Sequence, residues 1–262
     1  MPYSQNENVK FWQSELLLDK PLKHAIFTRK GGVSTGQWAE LNVGMTVGDD
    51  PEKVIKNRQI SFNALGRDIK TMSDSWLIHE TGVFIYDRPR DPKSKFPPKA
   101  DIILTDNPDV TLFMRYADCV PIILYHPKKQ VVGLAHSGWK GTIKKVGQKA
   151  VEAMMERYGC KPKNISAVIG PSIGTARYEV GTEVIDAVKE TFGERSGEFL
   201  LDYNGRTNFN LWDSNEYILR QAGVGYIDVS RICTAENNDM WFSHRADEGN
   251  TGRFGALIGL EK

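Results

Sequence analysis

Between Asp101 and Ala135, four β-rich runs follow one another with no room for a helix between them: Asp101–Thr105, Val110–Arg115, Val120–Tyr125 and Val131–Ala135. Connections this short join antiparallel neighbours, whereas parallel neighbours need a crossover of a dozen or more residues. A purely parallel, doubly wound sheet is therefore excluded. Elsewhere strands alternate with helices. A helix is expected from Asp49-Asp50-Pro51, an acidic cap with proline in the first turn, to Gly66. Ile143, Val146, Ala150 and Met154 recur at helical spacing up to Gly159, a good terminating glycine. Thr182–Phe192, closed by Gly193, and Leu211–Ala222, closed by Gly223, are two more amphipathic helices, and short strands are expected at Ala25–Thr28, Ile165–Ile169, Tyr226–Val229 and Phe254–Leu260. The pattern is that of a mixed α/β sandwich.

Length and charge narrow the function. The 262 residues are expected to form a single catalytic domain spanning 1–262 around a sizeable core. Basic and acidic residues nearly cancel, 34 against 33, which disfavours nucleic acid or a membrane surface as partner. The first residues lack the basic, apolar and small-residue segments of a secretion signal. Cys119, Cys160 and Cys233 are few and odd in number, as expected of reduced thiols in a cytoplasm. Asp87–Lys99, with its prolines and mixed charge, reads as one long loop.

The most informative spacing lies between Cys119 and His136. The runs that carry them are joined by His126–Gln130, short enough for a hairpin. Opposed residues of an antiparallel pair share one index sum, and a tight turn at 127–128 gives Cys119 and His136 the same sum as 126 and 129. A shifted turn changes the pairing by only two positions. A thiolate and an imidazole at one end of a hairpin are either metal ligands or a nucleophile with its base. Asp118, beside the cysteine, is a candidate carboxylate to orient the histidine. His79, between Ile78 and Glu80, is the candidate third ligand. Ser137–Thr142 reads as a glycine-rich bend opening the next helix, whose N–H groups and Lys140 suit an anion such as phosphate. His24 and His126 read as surface residues at strand edges, Cys160 and Cys233 as core filler, and His244, among aromatic and basic neighbours, stays open.

The segments FTRKGGVS, LNVGMTVGDDPEKVIKNR, ADCVP, AHSGWKGT, IGPSIG and FSHRADEGNTGR resemble the polyphenol oxidoreductase (laccase-domain) family of purine nucleoside phosphorylases, from about Phe27 to the C terminus. The pairing of ADCVP with AHSGWKGT at this separation is highly specific. The resemblance implies a four-layer α/β/β/α sandwich and a metal held by His79, Cys119 and His136. It also implies phosphorolysis of adenosine, inosine, guanosine and S-methyl-5′-thioadenosine, together with deamination of adenosine. A sulfur and two nitrogens with an open fourth position suit zinc, and copper also binds such a set. Within the resembling motifs, Arg58, Lys140 and Arg245 are the basic candidates for phosphate, and Ser34 and Asn42 for sugar or base hydroxyls. Glu80 or Asp118 would serve as general acid for the deamination. Two alternatives stand beside this reading. One is a copper-dependent polyphenol oxidase, against which the five histidines argue, too few for a four-copper enzyme. The other is a metal-free cysteine hydrolase using Cys119 and His136, which leaves His79 without a role.

Overall fold

The computed structural model describes residues 3–91, 93–94 and 96–262. In chain order its strands are β1 (Tyr3–Asn6), β2 (Val9–Trp12), β3 (Leu22–Phe27), β4 (Met72–Asp74), β5 (Val83–Ile85), β6 (Ile102–Thr105), β7 (Thr111–Tyr116), β8 (Val120–His126), β9 (Val131–Ser137), β10 (Ser166–Ile169), β11 (Leu200–Tyr203), β12 (Arg206–Phe209), β13 (Tyr226–Val229) and β14 (Phe254–Leu260). The α-helices are α1 (Pro51–Ala64), α2 (Trp139–Ile143), α3 (Val146–Tyr158), α4 (Thr182–Phe192) and α5 (Leu211–Gln221).

Two six-stranded mixed sheets carry the fold, in the orders β1-β2-β3-β14-β7-β4 and β13-β10-β8-β9-β6-β5. β8 and β9 form the antiparallel hairpin that their close spacing requires, whereas the short β6–β7 and β7–β8 connections pass between the two sheets, and β6 pairs antiparallel with β9 instead. β4 lies parallel to β7, β5 to β6 and β10 to β13, each pair bridged by a longer connection.

Side-chain alternation sorts every central strand between two apolar layers. In the second sheet, Val120, Ile122 and Leu124 face α3 and α5, while Ile123 and Tyr125 face the other sheet. In the first sheet, Leu112, Met114, Ala256 and Ile258 face inward between the sheets, while Phe113 and Leu257 pack outward with Phe62 of α1. The order of layers is therefore α1, sheet, sheet, and the group α3–α5, the four-layer sandwich expected. Central strands buried on both faces explain why their sequences are almost continuously apolar.

The ends of several elements carry their own causes. The Asp50 side chain accepts from the Glu52 N–H and Pro51 occupies the first turn of α1. The helix expected to open at Ile143 is instead two, α2 and α3, because Lys145 takes a left-handed backbone (φ 56°) between them. The glycine-rich bend before it is thus already helical from Trp139. The short strands β1, β2, β4 and β5 and the β11–β12 hairpin carry too little periodic pattern to be expected. Pro92 and Lys95, inside the proline-rich loop, lie outside the described residues; the remainder of Asp87–Lys99 holds no regular strand or helix.

Candidate metal centre and its two cavities

The β8–β9 hairpin pairs Val120 with Ser137, Pro121 with His136 and His126 with Val131. The loop is four residues long, so the register is displaced by two positions from that of a two-residue turn. Cys119 ends up beside Gly138, and a Cβ built on Gly138 would lie 2.8 Å from the Cys119 Sγ. His136 follows Leu134 on the face of β9 turned toward the other sheet, and Tyr116 stands against its ring at 5.5 Å between centroids.

His79 comes from the segment after β4. Its ring stands edge-on to His136, 5.0 Å between centroids. The donor atoms of His79, Cys119 and His136 all lie within 4.8 Å of one another, and this is the one such group of ligating side chains among the described residues. Tetrahedral zinc, with bonds of about 2.1 Å to nitrogen and about 2.3 Å to sulfur, holds its donors roughly 3.5 Å apart. The triad fits such an ion after a contraction of about an ångström. Backbone strain accompanies the site: His79 and Asp118 both take left-handed conformations, φ 59° and 79°.

Charge within the triad favours the thiolate, the form of cysteine that binds a metal, and puts on His136 a proton that an incoming ion would displace. Burial pushes the Cys119 thiol up, but His136 first and then His79 favour the thiolate and bring it down to about 6. Burial disfavours a charged His136, yet Cys119 and Asp101 raise it to about 9.

The carboxylate that orients His136 is Asp101, not Asp118. Asp101 Oδ1 lies 2.9 Å from His136 Nδ1, and its Oδ2 accepts the backbone N–H groups of Ile78 and Glu80. Asp118 turns away: Oδ1 accepts from the Thr234 hydroxyl and Oδ2 from the Arg245 N–H, fixing the loop that carries His244. Sequence alone gave Asp101 no such role, although an acidic residue opening an apolar strand was a signal. Glu80 is exposed and paired with Lys144.

The triad stands in a wall between two cavities. The larger, about 750 Å³, includes His79, Cys119 and His136 in its lining, with Arg58, Arg115 and Arg253. The smaller, about 480 Å³, shares His79 and Cys119 and adds Trp139, Lys140, Tyr178 and Arg245. His244 lines both. The basic side chains singled out in the sequence thus separate, Arg58 on one side and Lys140 and Arg245 on the other. Ser34 and Asn42 line neither cavity. Both are buried and bond to the Asp49 carboxylate, and Asn42 Oδ1 also accepts the N–H groups of Gly44 and Arg253. Asn42 therefore acts on the cavity through Arg253.

His24, His126, Cys160 and Cys233 serve the fold. His24 and His126 are buried rather than at the surface. His24 accepts the Ser14 N–H and His126 that of Lys129. Cys160 and Cys233 are buried and unpaired.

Residues 23–261 match a family described as multi-copper polyphenol oxidoreductase laccase. A protein of Deinococcus radiodurans named purine nucleoside phosphorylase is 37% identical over 91% of this chain and 89% of its own length. Purine nucleoside phosphorylase YlmD of Bacillus subtilis is 33% identical over 97% of this chain and 94% of its own. The crystal structure of YlmD from Geobacillus stearothermophilus superposes with a TM-score of 0.91 at 30% identity, covering 99% of both chains.

Proposed function

The chain belongs to the multi-copper polyphenol oxidoreductase laccase family, and from that membership we propose that it is a zinc-dependent purine nucleoside phosphorylase. The observation that carries the reading is the thiolate and two imidazoles of Cys119, His79 and His136, gathered in the wall of a cavity large enough for a nucleoside and an anion. The relatives named purine nucleoside phosphorylase supply the reaction. The family resemblance extends it to adenosine, inosine, guanosine and S-methyl-5′-thioadenosine, and to deamination of adenosine at the same centre.

His79, Cys119 and His136 would hold the zinc. When bound, the ion supplies a Lewis-acidic centre that stabilises developing negative charge. Asp101 accepts a hydrogen bond from Nδ1 of His136 and keeps the ring in place, which would leave Nε2 free to hold the metal. In phosphorolysis a phosphate oxygen bonds to C1′ as the C1′–N9 bond breaks. The electron pair of that bond leaves with the purine, and positive charge develops on the ribose in between. The protein contributes by holding phosphate and nucleoside in line within one cavity and by excluding water that would compete as nucleophile. The Cys119–His136–Asp101 arrangement would equally suit a cysteine nucleophile with its base. His79 at the same point favours the metal.

The test is to incubate zinc-loaded protein with inosine, with and without phosphate, and with adenosine, and to identify the products. The reading expects hypoxanthine and ribose 1-phosphate only when phosphate is present, and inosine from adenosine regardless. Cys119→Ser should remove zinc and both activities together. Absence of ribose 1-phosphate from fully zinc-loaded protein would overturn the phosphorylase assignment.

A further inference from the structure

Besides the triad, the larger cavity has a lining of unusual charge. Arg58 from α1, Arg90 from the loop after β5, Arg115 from β7 and Arg253 just before β14 all line it, and Asp74 at the end of β4 is the carboxylate among them. Arg90 Nε and Arg115 Nη1 each lie 3.0 Å from an Asp74 oxygen, and Arg58 Nη1 lies at 3.8 Å. Three guanidiniums therefore share one carboxylate, and the fourth, Arg253, lines the same cavity without contact to it. Three of these arginines have side chains only 11 to 19% exposed, so solvent does little to dilute the excess.

Each arginine is also fixed from behind. Arg58 Nε donates to the Val43 carbonyl, Arg115 Nη2 to that of Ser75, Arg90 Nη1 to that of Ser94, and Arg253 Nη1 to those of Thr251 and Gly252. Arg58 Nη2, Arg90 Nη2, and Nε and Nη2 of Arg253 have no acceptor among the described residues. Prearranged guanidinium forks with unused N–H groups match the geometry of an oxyanion. Burial first, and the neighbouring Arg115 next, pull Arg58 down to about 10, the direction expected where a buried cation lacks sufficient countercharge. In the same lining Trp76 and Phe96 meet edge to face, 6.4 Å between centroids. The cavity thus offers an anion-binding wall and an aromatic wall with the triad beside them.

We propose that Arg58, Arg90, Arg115 and Arg253 form the seat of inorganic phosphate, and that Lys140 and Arg245, in the other cavity, do not. This rests on the phosphorylase reading for the identity of the oxyanion and deepens it by placing phosphate on the arginine side of the triad. Asp74 is a positioning residue that holds three of the forks apart and aimed.

The test is calorimetric titration of zinc-loaded protein with inorganic phosphate, in wild type, Arg90→Gln, Arg253→Gln and Lys140→Ala. Wild type should bind phosphate, each arginine variant should lose roughly tenfold or more in affinity, and Lys140→Ala should stay within about twofold. Because a variant could fail to fold, wild type is also treated with phenylglyoxal, and phosphate should protect Arg90 and Arg253 from modification. Wild type that does not bind phosphate, unchanged affinity in both arginine variants, or a loss confined to Lys140→Ala would each overturn the proposal. Ribose 1-phosphate is measured separately. If none forms while phosphate affinity still falls with the arginines, the oxyanion site stands and the phosphorylase reading falls.

Discussion

Asp101 and His136 are bonded through Oδ1 and Nδ1 at 2.9 Å, with the carboxylate fully buried and the imidazole 4% exposed. Burial alone would raise the Asp101 carboxyl, but His136 and the Glu80 and Ile78 N–H groups hold it below the usual range. The same carboxylate therefore serves both histidines of the centre. One oxygen sets the ring of His136, and the other ties down the backbone on either side of His79. A single side chain at the start of β6 joins a ligand from a loop to a ligand from a sheet.

Asp101→Asn keeps the size but removes the charge and turns one acceptor into a donor. Weakening such a contact behind a metal-bound histidine typically costs about 10–100-fold in metal affinity. The expected outcome is a folded protein whose zinc is captured by a chelator at correspondingly lower concentration. Zinc affinity equal to wild type would show that Asp101 contributes only to the loop.

Gly138 is needed for space, not for backbone freedom. Its backbone, φ −75° and ψ −173°, is open to any residue. A methyl group there would fall 2.8 Å from the Cys119 sulfur, well inside contact distance. Gly138→Ala should fold with near-normal thermal stability yet hold zinc weakly, because the sulfur must move away from the two imidazoles. Zinc content by elemental analysis alongside the melting temperature decides the matter. Full zinc occupancy would contradict the packing argument.

How much of this was legible in the sequence follows from what the residues do locally. Thr182–Phe192, Tyr226–Val229 and Phe254–Leu260 are legible with their observed bounds, because capping glycines and continuous apolar runs are local signals. The edge strands β4 and β5 are not legible; three residues each, they are held by pairing with a neighbour rather than by their own pattern. The hairpin arithmetic brought Cys119 and His136 to one end of β8–β9, with the register free by two positions until the loop was known. Asp101 and the arginine wall escaped for a different reason. Arg90, Arg115 and Arg253 are far apart in sequence and converge only through the packing of two sheets, which no single-chain spacing encodes.

Phenol oxidation should be absent from zinc-loaded, copper-free protein. A multicopper oxidase needs several histidine clusters, and three of the five histidines here lie outside the triad. His24 and His126 are buried in the fold with backbone partners of their own. His244 is left beside a single centre. Oxygen uptake with a phenolic substrate, measured before and after copper is added, tests this. Rapid uptake without copper would contradict it.

The last prediction concerns acid stability and a histidine remote from the site. His24, on β3, is 1% exposed and accepts the Ser14 N–H. Burial disfavours its charged form and lowers it from 6.5 to about 4. The unfolded chain takes up this proton near 6.5 and the folded one only near 4, so between those values the unfolded state binds more protons. Stability then rises with pH across the window and falls as the solution is acidified from about 6.5 to about 4. A displacement of this size is worth on the order of 3 kcal/mol once fully expressed. His24→Gln retains an acceptor for Ser14 and has nothing to titrate. Denaturant unfolding of the metal-free wild type and variant, at several pH values from 7 to 4, should give curves whose stability difference narrows or reverses in favour of the glutamine as pH falls. Parallel pH dependence in the two proteins would show that His24 titrates alike in the folded and unfolded states, and that its burial carries no linkage to protons.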